Sequence, residues 1–427
     1  MKRQKVIFNL YNIAWKILLP FLKRTSFFKD NYPLRITPDI FKKTDIWIHG
    51  ASGGEAYIAT EILKHLKPCS PQKILYTATT IQGIKVMESF CQTPDFNPDI
   101  DYKITWLPFD MPAIIEQVVK KTNPGIMVLL ETELWPGLLY MLKKHKIKTI
   151  IINGRLSSKT YLRYLKTKFL WENISPEIIL ATSEKDKQRF KNIFGKKAQI
   201  GIMPNIKFDA IPSTTETKSS IMVQLAEILP SDIPLSILAS IRKEEENHLE
   251  KIIQYLIQKF PDQIIAIFPK HMQRINPLSK MLARLANKTG IKWQLKSMIN
   301  NKLDKKTIIL WDTFGELKHA YAFATTAFVG GSLEPLGGQN FLEPVISGAA
   351  TITGPFLNSF KWINKEIFNS NIVFKAQNAH EVGKFMVQQL TNPPDKEKIK
   401  QKSLEYIRKN QGGTALAIKI INKNLKN

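Results

Sequence analysis

The sequence predicts an α/β protein of two Rossmann-like, doubly wound domains. Three observations carry that prediction: a length of 427 residues, an alternation of short apolar β-rich runs with longer helical patterns, and a break in that alternation near the middle. A chain of this length exceeds one ordinary core, so two domains of roughly 200 residues are expected. Strands of a parallel sheet read as continuous apolar runs because helices cover both faces. No repeat with a period of roughly 20 to 50 residues appears, which excludes solenoids and propellers.

The chain starts Met-Lys-Arg-Gln-Lys and then runs apolar from Val6 to Leu22, interrupted by Asn9, Asn12, Lys16 and Pro20. That run is marginal for a bilayer-spanning helix, and no small-residue cleavage site follows to make it a signal peptide. Asn9, Asn12 and Lys16 form a polar stripe facing away from Phe8, Ile13, Trp15, Leu18 and Leu19. With Lys2, Arg3, Lys5, Lys23 and Arg24 at its ends, the segment 1–30 reads as an anchor lying at or dipping into an anionic membrane interface. The same pattern also fits a helix packed on its own domain.

The segments 45–49, 73–77, 126–130, 149–152 and 178–181 read as buried strands, each followed by helical spacing. They define a first domain, 31–210. The Ser/Thr-rich stretch from Pro212 to Ser220 reads as a linker. Beyond it 235–239, 264–268, 307–311, 327–329 and 350–353 supply the strands of a second domain, 211–427, expected to face the first across a cleft.

Composition narrows the partners. The 62 Lys+Arg against 36 Asp+Glu leave a formal charge of +26, which favours polyanions: nucleic acid, anionic lipid or a phosphorylated substrate. Enrichment of Lys, Asn and Ile by an AT-rich genome accounts for part of the excess. No zinc spacing, recognition-helix motif or RNP-like aromatics support nucleic acid. Cys69 and Cys91 make neither a disulfide framework nor a CxxC metal signature, as suits a reducing compartment.

Ligands of open α/β sheets sit at the carboxyl ends of strands, so the residues just after each run are the candidates. In the first half these are His49-Gly-Ala-Ser-Gly-Gly-Glu55, Glu131-Thr-Glu-Leu-Trp-Pro136 and Asn153-Gly-Arg-Leu-Ser157. In the second they are Ser240-Ile-Arg-Lys-Glu-Glu245, Pro269-Lys-His271, Asp312-Thr-Phe-Gly-Glu-Leu317 and the glycine-rich turn from Ser332 to Glu343. The last reads as strand, glycine turn and helix start, with Gly337 and Gly338 admitting a ligand to the backbone, main-chain N–H groups for phosphate, and Glu343 for ribose hydroxyls. Ordinary turn chemistry is the competing reading. Gly50-Ala-Ser-Gly-Gly54 also satisfies the G-x-S-x-G nucleophile elbow of α/β-hydrolases, but only one strand precedes it and no histidine stands in a comparable later loop.

His-x-x-Ser-x-Gly-Glu, Glu-Thr-Glu-Leu-Trp-Pro, Asn-x-Arg-Leu-Ser, Pro-Asn-Ile-Lys-Phe-Asp (204–209), Asp-Thr-x-Gly-Glu-Leu and Gly-Gly-Ser-Leu with Gly-Gly-x-Asn-x-Leu-Glu-Pro follow one another between about residues 45 and 360. In this order they resemble the 3-deoxy-D-manno-octulosonic acid (Kdo) transferases of lipopolysaccharide assembly. The resemblance implies an inverting GT-B glycosyltransferase at the cytoplasmic face of the inner membrane, with CMP-Kdo as donor, a lipid A precursor (lipid IVA) as acceptor, and no metal or other cofactor. It implies Glu55 as catalytic base, and an acceptor side of Ser52, Gly54, Glu131, Glu133 and Arg155. The donor side then comprises Lys207, Ser240, Arg242, Lys270, His271, Gly315, Glu316, Gly337, Gly338, Asn340 and Glu343. For Glu55 the competing role is a surface glutamate complementing the helix dipole, for Glu343 a partner of a helix N-cap, and for Gly315 and Glu316 a turn before a helix start.

The sequence departs from the family at several points. Lys270 stands where arginine is usual, which turns a bidentate phosphate contact into a point charge. Ser240-Ile-Arg-Lys-Glu-Glu-Glu246 replaces Ser-Thr-His-x-Gly-Glu-Glu, so a related GT-B enzyme with another nucleotide-sugar donor is the alternative. Gly50, Gly53 and Gln339 also replace the family's usual residues.

Overall fold

The computed structural model describes residues 2–67, 72–211 and 219–425. Cys69 and most of the Pro212–Ser220 stretch lie outside them. The chain divides into two compact units, 1–211 with 410–427, and 212–409.

The first unit is built on β1 (Ile46–His49), β2 (Gln72–Ala78), β3 (Ile100–Trp106), β4 (Ile126–Leu130), β5 (Lys148–Gly154), β6 (Ile178–Ala181) and β7 (Gln199–Ile202). These pair in parallel in the order β3-β2-β1-β4-β5-β6-β7. Side chains alternate across the sheet. Trp47, Leu75, Met127, Leu129 and Ile151 pack under helices Pro112–Thr122, Pro136–Lys144 and Glu184–Phe194. Ile48, Ile74, Tyr76, Val128 and Ile152 pack on the other face with Gly53–His65 and Ile81–Cys91.

The second unit carries β8 (Leu235–Ile241), β9 (Ile264–Pro269), β10 (Lys292–Leu295), β11 (Thr307–Leu310), β12 (Thr326–Val329), β13 (Ala350–Thr353) and β14 (Val373–Lys375). Its parallel order is β10-β11-β9-β8-β12-β13-β14. Both units are therefore doubly wound, as the alternation of runs predicted. Each sheet reverses direction at one gap, between β1 and β4 in the first and between β8 and β12 in the second.

The C-terminal boundary differs from expectation. The last helix, Gly413–Asn424, was read as part of the second domain but packs on the first sheet, burying Ala417 and Ile421 in the cluster of Ile150 and Ile152. Asp209 secures it by accepting from the main-chain N–H of Gly412 at 2.7 Å and of Thr414 at 2.6 Å.

The N-terminal helix spans Lys2–Leu22 and is, among the described residues, the one helix long and apolar enough to cross a membrane. One face docks on the first unit. Phe8 is buried and stacks on Tyr140 with ring centroids 3.9 Å apart, and Asn12 accepts from the N–H of Ala113 at 3.0 Å. Asn12 thus belongs to the packed face and not to a solvated stripe: helix Pro112–Thr122 begins beside it with an N–H in need of an acceptor. Phe8 and Trp15 share that docked side, with Trp15 lying 5.8 Å from the ring of Phe109. Val6, Leu10, Ile13, Ile17 and Phe21, spaced by three or four residues, form an exposed apolar stripe.

Asp110 ties this helix down from below. It is buried and accepts from Tyr11 Oη at 2.9 Å, Gly137 N at 2.9 Å and Leu138 N at 2.7 Å. Burial pushes its carboxyl from an ordinary 3.8 up to about 7, against the opposing pull of those donors. A raised folded-state value means that the native protein holds this proton more tightly than the unfolded chain. The associated stability is complete below the unfolded value and is lost as pH rises through about 7. Thermal melts should therefore show this component of stability growing as pH falls from about 8 to about 5. Asp110→Asn should remove that pH dependence while lowering stability throughout, since an amide has one acceptor oxygen for three converging donors.

Candidate functional site

In the first unit the chain leaves β1 and β4 in opposite directions, which opens a gap at their carboxyl ends. Helix Gly53–His65 starts there in a capping box: Glu55 Oε2 accepts from Ser52 N at 2.9 Å and also from Ser52 Oγ. Both bonds land on one oxygen of Glu55. Facing it, Glu131 follows β4 with a left-handed backbone, φ 54°, and a buried carboxylate. Arg155 Nε reaches Glu131 Oε2 at 2.8 Å and Lys207 Nζ reaches Oε1 at 2.7 Å. Two cations thus meet on one carboxylate, with the acids Glu55 and Glu133 at the same end of the sheet. A side chain at Gly54 would place its first carbon 3.9 Å from Lys207 Nζ and 3.6 Å from Ser52 Oγ. Glu133, two residues beyond Glu131, is partly exposed and accepts from Trp135 Nε1 at 3.1 Å.

A one-residue irregularity re-aims Arg155. The pairing of β5 with β6 shifts register between Ile151 and Gly154, and Asn153 takes φ 58°. Asn153 Oδ1 then accepts from Ile206 N at 3.0 Å, which anchors the segment that delivers Lys207.

The second unit repeats this device. β8 shifts register against β9 between Leu238 and Ile241, with Ser240 at φ 53°, and Arg242 and Lys270 follow. The main-chain N–H of Lys270 bonds the carbonyl of Ile241 at 2.8 Å, so those two strand ends are held together. Across the β8/β12 gap, Glu245, 1% exposed, accepts from Gly331 N at 2.5 Å, from Ser332 N and Leu333 N at 2.9 Å each, and from Arg242 N at 3.3 Å. Those bonds supply the buried carboxylate with donors in place of water and fix the glycine loop. Gly337 and Gly338 continue it at φ 96° and 82°, a region in which glycine alone is unstrained. Asn340 Nδ2 then donates to Glu343 Oε1 at 2.8 Å. Burial raises the Glu343 carboxyl, while the Asn340 bond and the charges of Lys318 and Lys270 pull it back.

The first unit thus gathers Ser52, Gly54, Glu55, Glu131, Glu133 and Arg155, and it also holds Lys207, which was grouped with donor-side residues of the second half. In the second unit Lys270, Lys318, Asn340 and Glu343 neighbour one another. His271 is exposed at the end of β9. The helix after the glycine turn is short, Leu342–Ile346, so phosphate attraction there rests on loop N–H groups and lysines rather than on a long dipole. Glu316 is taken up locally by Trp311 Nε1 at 2.8 Å, Thr313 Oγ1 at 2.9 Å and Lys296 Nζ at 3.1 Å, the geometry of a turn before helix Leu317–Ala320. Ser52 Oγ bonds Glu55, whereas the nearby His49 turns its Nδ1 to Thr77, so Ser52 and His49 do not form the pair that a nucleophile elbow needs. Among the described residues no group of three His, Cys, Asp or Glu stands ready for a metal ion.

Two participants stood within the candidate stretches of the sequence but were assigned no role there. Glu245 sat in a loop noted for its lost hydroxyl and glycine, and its only signal was an acid just beyond a buried strand. His49 closes an apolar run, and a polar residue in that place was the available hint.

Residues 22–210 match the family described as 3-Deoxy-D-manno-octulosonic-acid transferase (kdotransferase). A 3-deoxy-D-manno-octulosonic acid transferase of Chlamydia muridarum is 30% identical over 318 residues, 74% of this chain and 71% of that protein. A bifunctional glycosyltransferase/methyltransferase of Fusobacterium nucleatum is 28% identical over 383 residues, 87% of this chain but only 57% of that longer protein. Among solved structures, a glycosyltransferase from Rickettsia africae superimposes with a TM-score of 0.58 at 14% identity, covering 91% of this chain and all of that one. At that identity the likeness is one of fold, and the fold is of the GT-B type.

Removing the Glu245 carboxylate should unfold the second unit's glycine loop before anything else. Glu245→Ala strands several buried N–H groups and should cost about 3 kcal/mol or more in urea or thermal unfolding, with Glu245→Gln intermediate.

Proposed function

The chain belongs to the 3-deoxy-D-manno-octulosonic acid transferase family, and from that premise we propose that it transfers Kdo from CMP-Kdo to a sugar hydroxyl of a lipid A precursor such as lipid IVA, with inversion at the anomeric carbon. The observation that carries this reading is Glu55, held in the first turn of a helix at the β1/β4 gap beside the Glu131–Arg155–Lys207 cluster. The attacking hydroxyl must lose its proton as it meets the anomeric carbon, and a fixed carboxylate is the group for that step. The capping box holds Glu55 Oε2 and leaves Oε1 for the acceptor. Arg155 and Lys207, both on Glu131, are the cations at hand for a phosphate of the acceptor.

On the donor side, Lys270 and the glycine-loop N–H groups meet the charge that grows on the departing cytidylate phosphate, a stabilisation that calls for no metal. Glu343, oriented by Asn340, takes the ribose hydroxyls. Arg242 stands where the family has histidine and supplies a further cation beside the strand ends.

We further propose that the enzyme works at the cytoplasmic face of the inner membrane. The exposed stripe of Val6, Leu10, Ile13, Ile17 and Phe21 supports this, because its opposite face is already docked on protein.

Incubation with CMP-Kdo and a tetraacyl bisphosphorylated disaccharide should give a product heavier by whole Kdo residues in mass spectrometry; no mass gain overturns the assignment. Glu55→Gln keeps the cap and should lower turnover by roughly 100- to 10,000-fold with donor binding and melting temperature unchanged. Glu55→Ala should in addition lose about 1 kcal/mol of stability with the cap. Ile13→Glu with Ile17→Glu should release the protein from anionic vesicles in sedimentation while leaving the docked face intact, and retained binding would place the anchor elsewhere.

A further inference from the structure

His49 is the last residue of β1 and is 0% exposed. Its Nδ1 lies 2.8 Å from the carbonyl oxygen of Thr77. A carbonyl only accepts, so Nδ1 carries a hydrogen, and in the neutral ring Nε2 is left with a lone pair. Thr77 is itself fixed: its hydroxyl accepts from Trp47 Nε1 at 2.9 Å. The ring is therefore locked from β2. Nε2 has no hydrogen-bond partner, yet it faces Glu133 Oε2 at 3.5 Å. A lone pair aimed at a carboxylate oxygen inside protein is two acceptors with no donor, an arrangement that one proton turns into a charge-assisted bond.

We propose that His49 and Glu133 form a one-proton pair in which His49 is a positioning residue: with Nε2 protonated it donates to Glu133 Oε2, orients that carboxylate, and leaves Oε1 to accept from an acceptor sugar hydroxyl. The inference rests on the acceptor-side reading of the first unit and adds a task for Glu133 distinct from that of Glu55. No bond of the substrate is made or broken by the pair; its proton is drawn from solvent and stays on His49 Nε2. Trp135 Nε1, already on Glu133 Oε2, steadies the carboxylate from its own loop. The charged and titratable groups around the pair are Glu55 on helix Gly53–His65, Tyr76 on β2, and Tyr164 with Arg163 on helix Ser158–Lys166. Burial and the charges of Glu55 and Glu133 push the Tyr76 hydroxyl up, so it stays protonated beside both carboxylates.

The first test needs no substrate. In protein carrying ¹⁵N-histidine, the signal that disappears in His49→Asn should report hydrogen on both ring nitrogens near neutral pH, and the hydrogen on Nε2 should be lost in Glu133→Gln. An unprotonated Nε2 in the wild type, or a signal indifferent to Glu133→Gln, overturns the pair. The second test is kinetic. His49→Asn keeps an amide donor for the Thr77 carbonyl but loses Nε2, and should lower kcat/KM for the acceptor by roughly 10- to 100-fold with KM for CMP-Kdo unchanged. His49→Gln reaches the Nε2 position with an N–H and should recover most of that loss. Equal losses toward both substrates, or no rescue by glutamine, make His49 a packing residue only. If the wild-type protein transfers no sugar at all, the proposed function falls, while the ¹⁵N result still decides the pair.

Discussion

A doubly wound sheet has one place where neighbouring strands send their connections to opposite faces, and no crossover helix fills the space beyond them. That constraint organises both halves of this chain. In the first sheet the place lies between β1 and β4, and it collects a helix start, a capping glutamate and a buried carboxylate with two cations. In the second it lies between β8 and β12, and it collects a glycine loop and the carboxylate that holds it. Chemistry settles there because backbone groups at strand ends and helix starts still need partners.

Each unit meets that need with an acid taken out of solvent. Glu131 is offset by Arg155 and Lys207, and Glu245 by consecutive N–H groups of the loop it fixes. A buried carboxylate left alone would protonate or destabilise the fold, so the cations and N–H groups around it are held as firmly as it is. Residues in strained backbone, Glu131, Asn153 and Ser240, occur at the same strand ends. Their strain is local and turns the residues that follow toward the open ends of the sheets.

The fold was largely legible from the sequence because a strand covered on both faces must be apolar throughout. Ten strands announced themselves in that way. The four that did not, β3, β7, β10 and β14, are the edges of the two sheets, where one side meets water and polar residues such as Asp101, Lys103, Gln199 and Lys292 interrupt the run. Site residues after interior strands were legible for the same reason, since the end of an apolar run marks a carboxyl end. The role of Glu245 was not, because it depends on N–H groups 86 to 88 residues away. The docked face of the N-terminal helix was misjudged at Asn12 because helical periodicity sorts polar from apolar, whereas the partner helix required an acceptor.

The return of Gly413–Asn424 to the first sheet affects how the protein is made. A ribosome finishes every strand of that sheet before it has begun the second unit, and the helix that packs on Ile150 and Ile152 follows the whole of that unit. Until then a nascent chain carries an uncovered apolar face through the synthesis of about 200 further residues, some tens of seconds at ordinary elongation rates. A truncation that sheds Gly413–Asn424 would leave Ile150 and Ile152 without Ala417 and Ile421 against them.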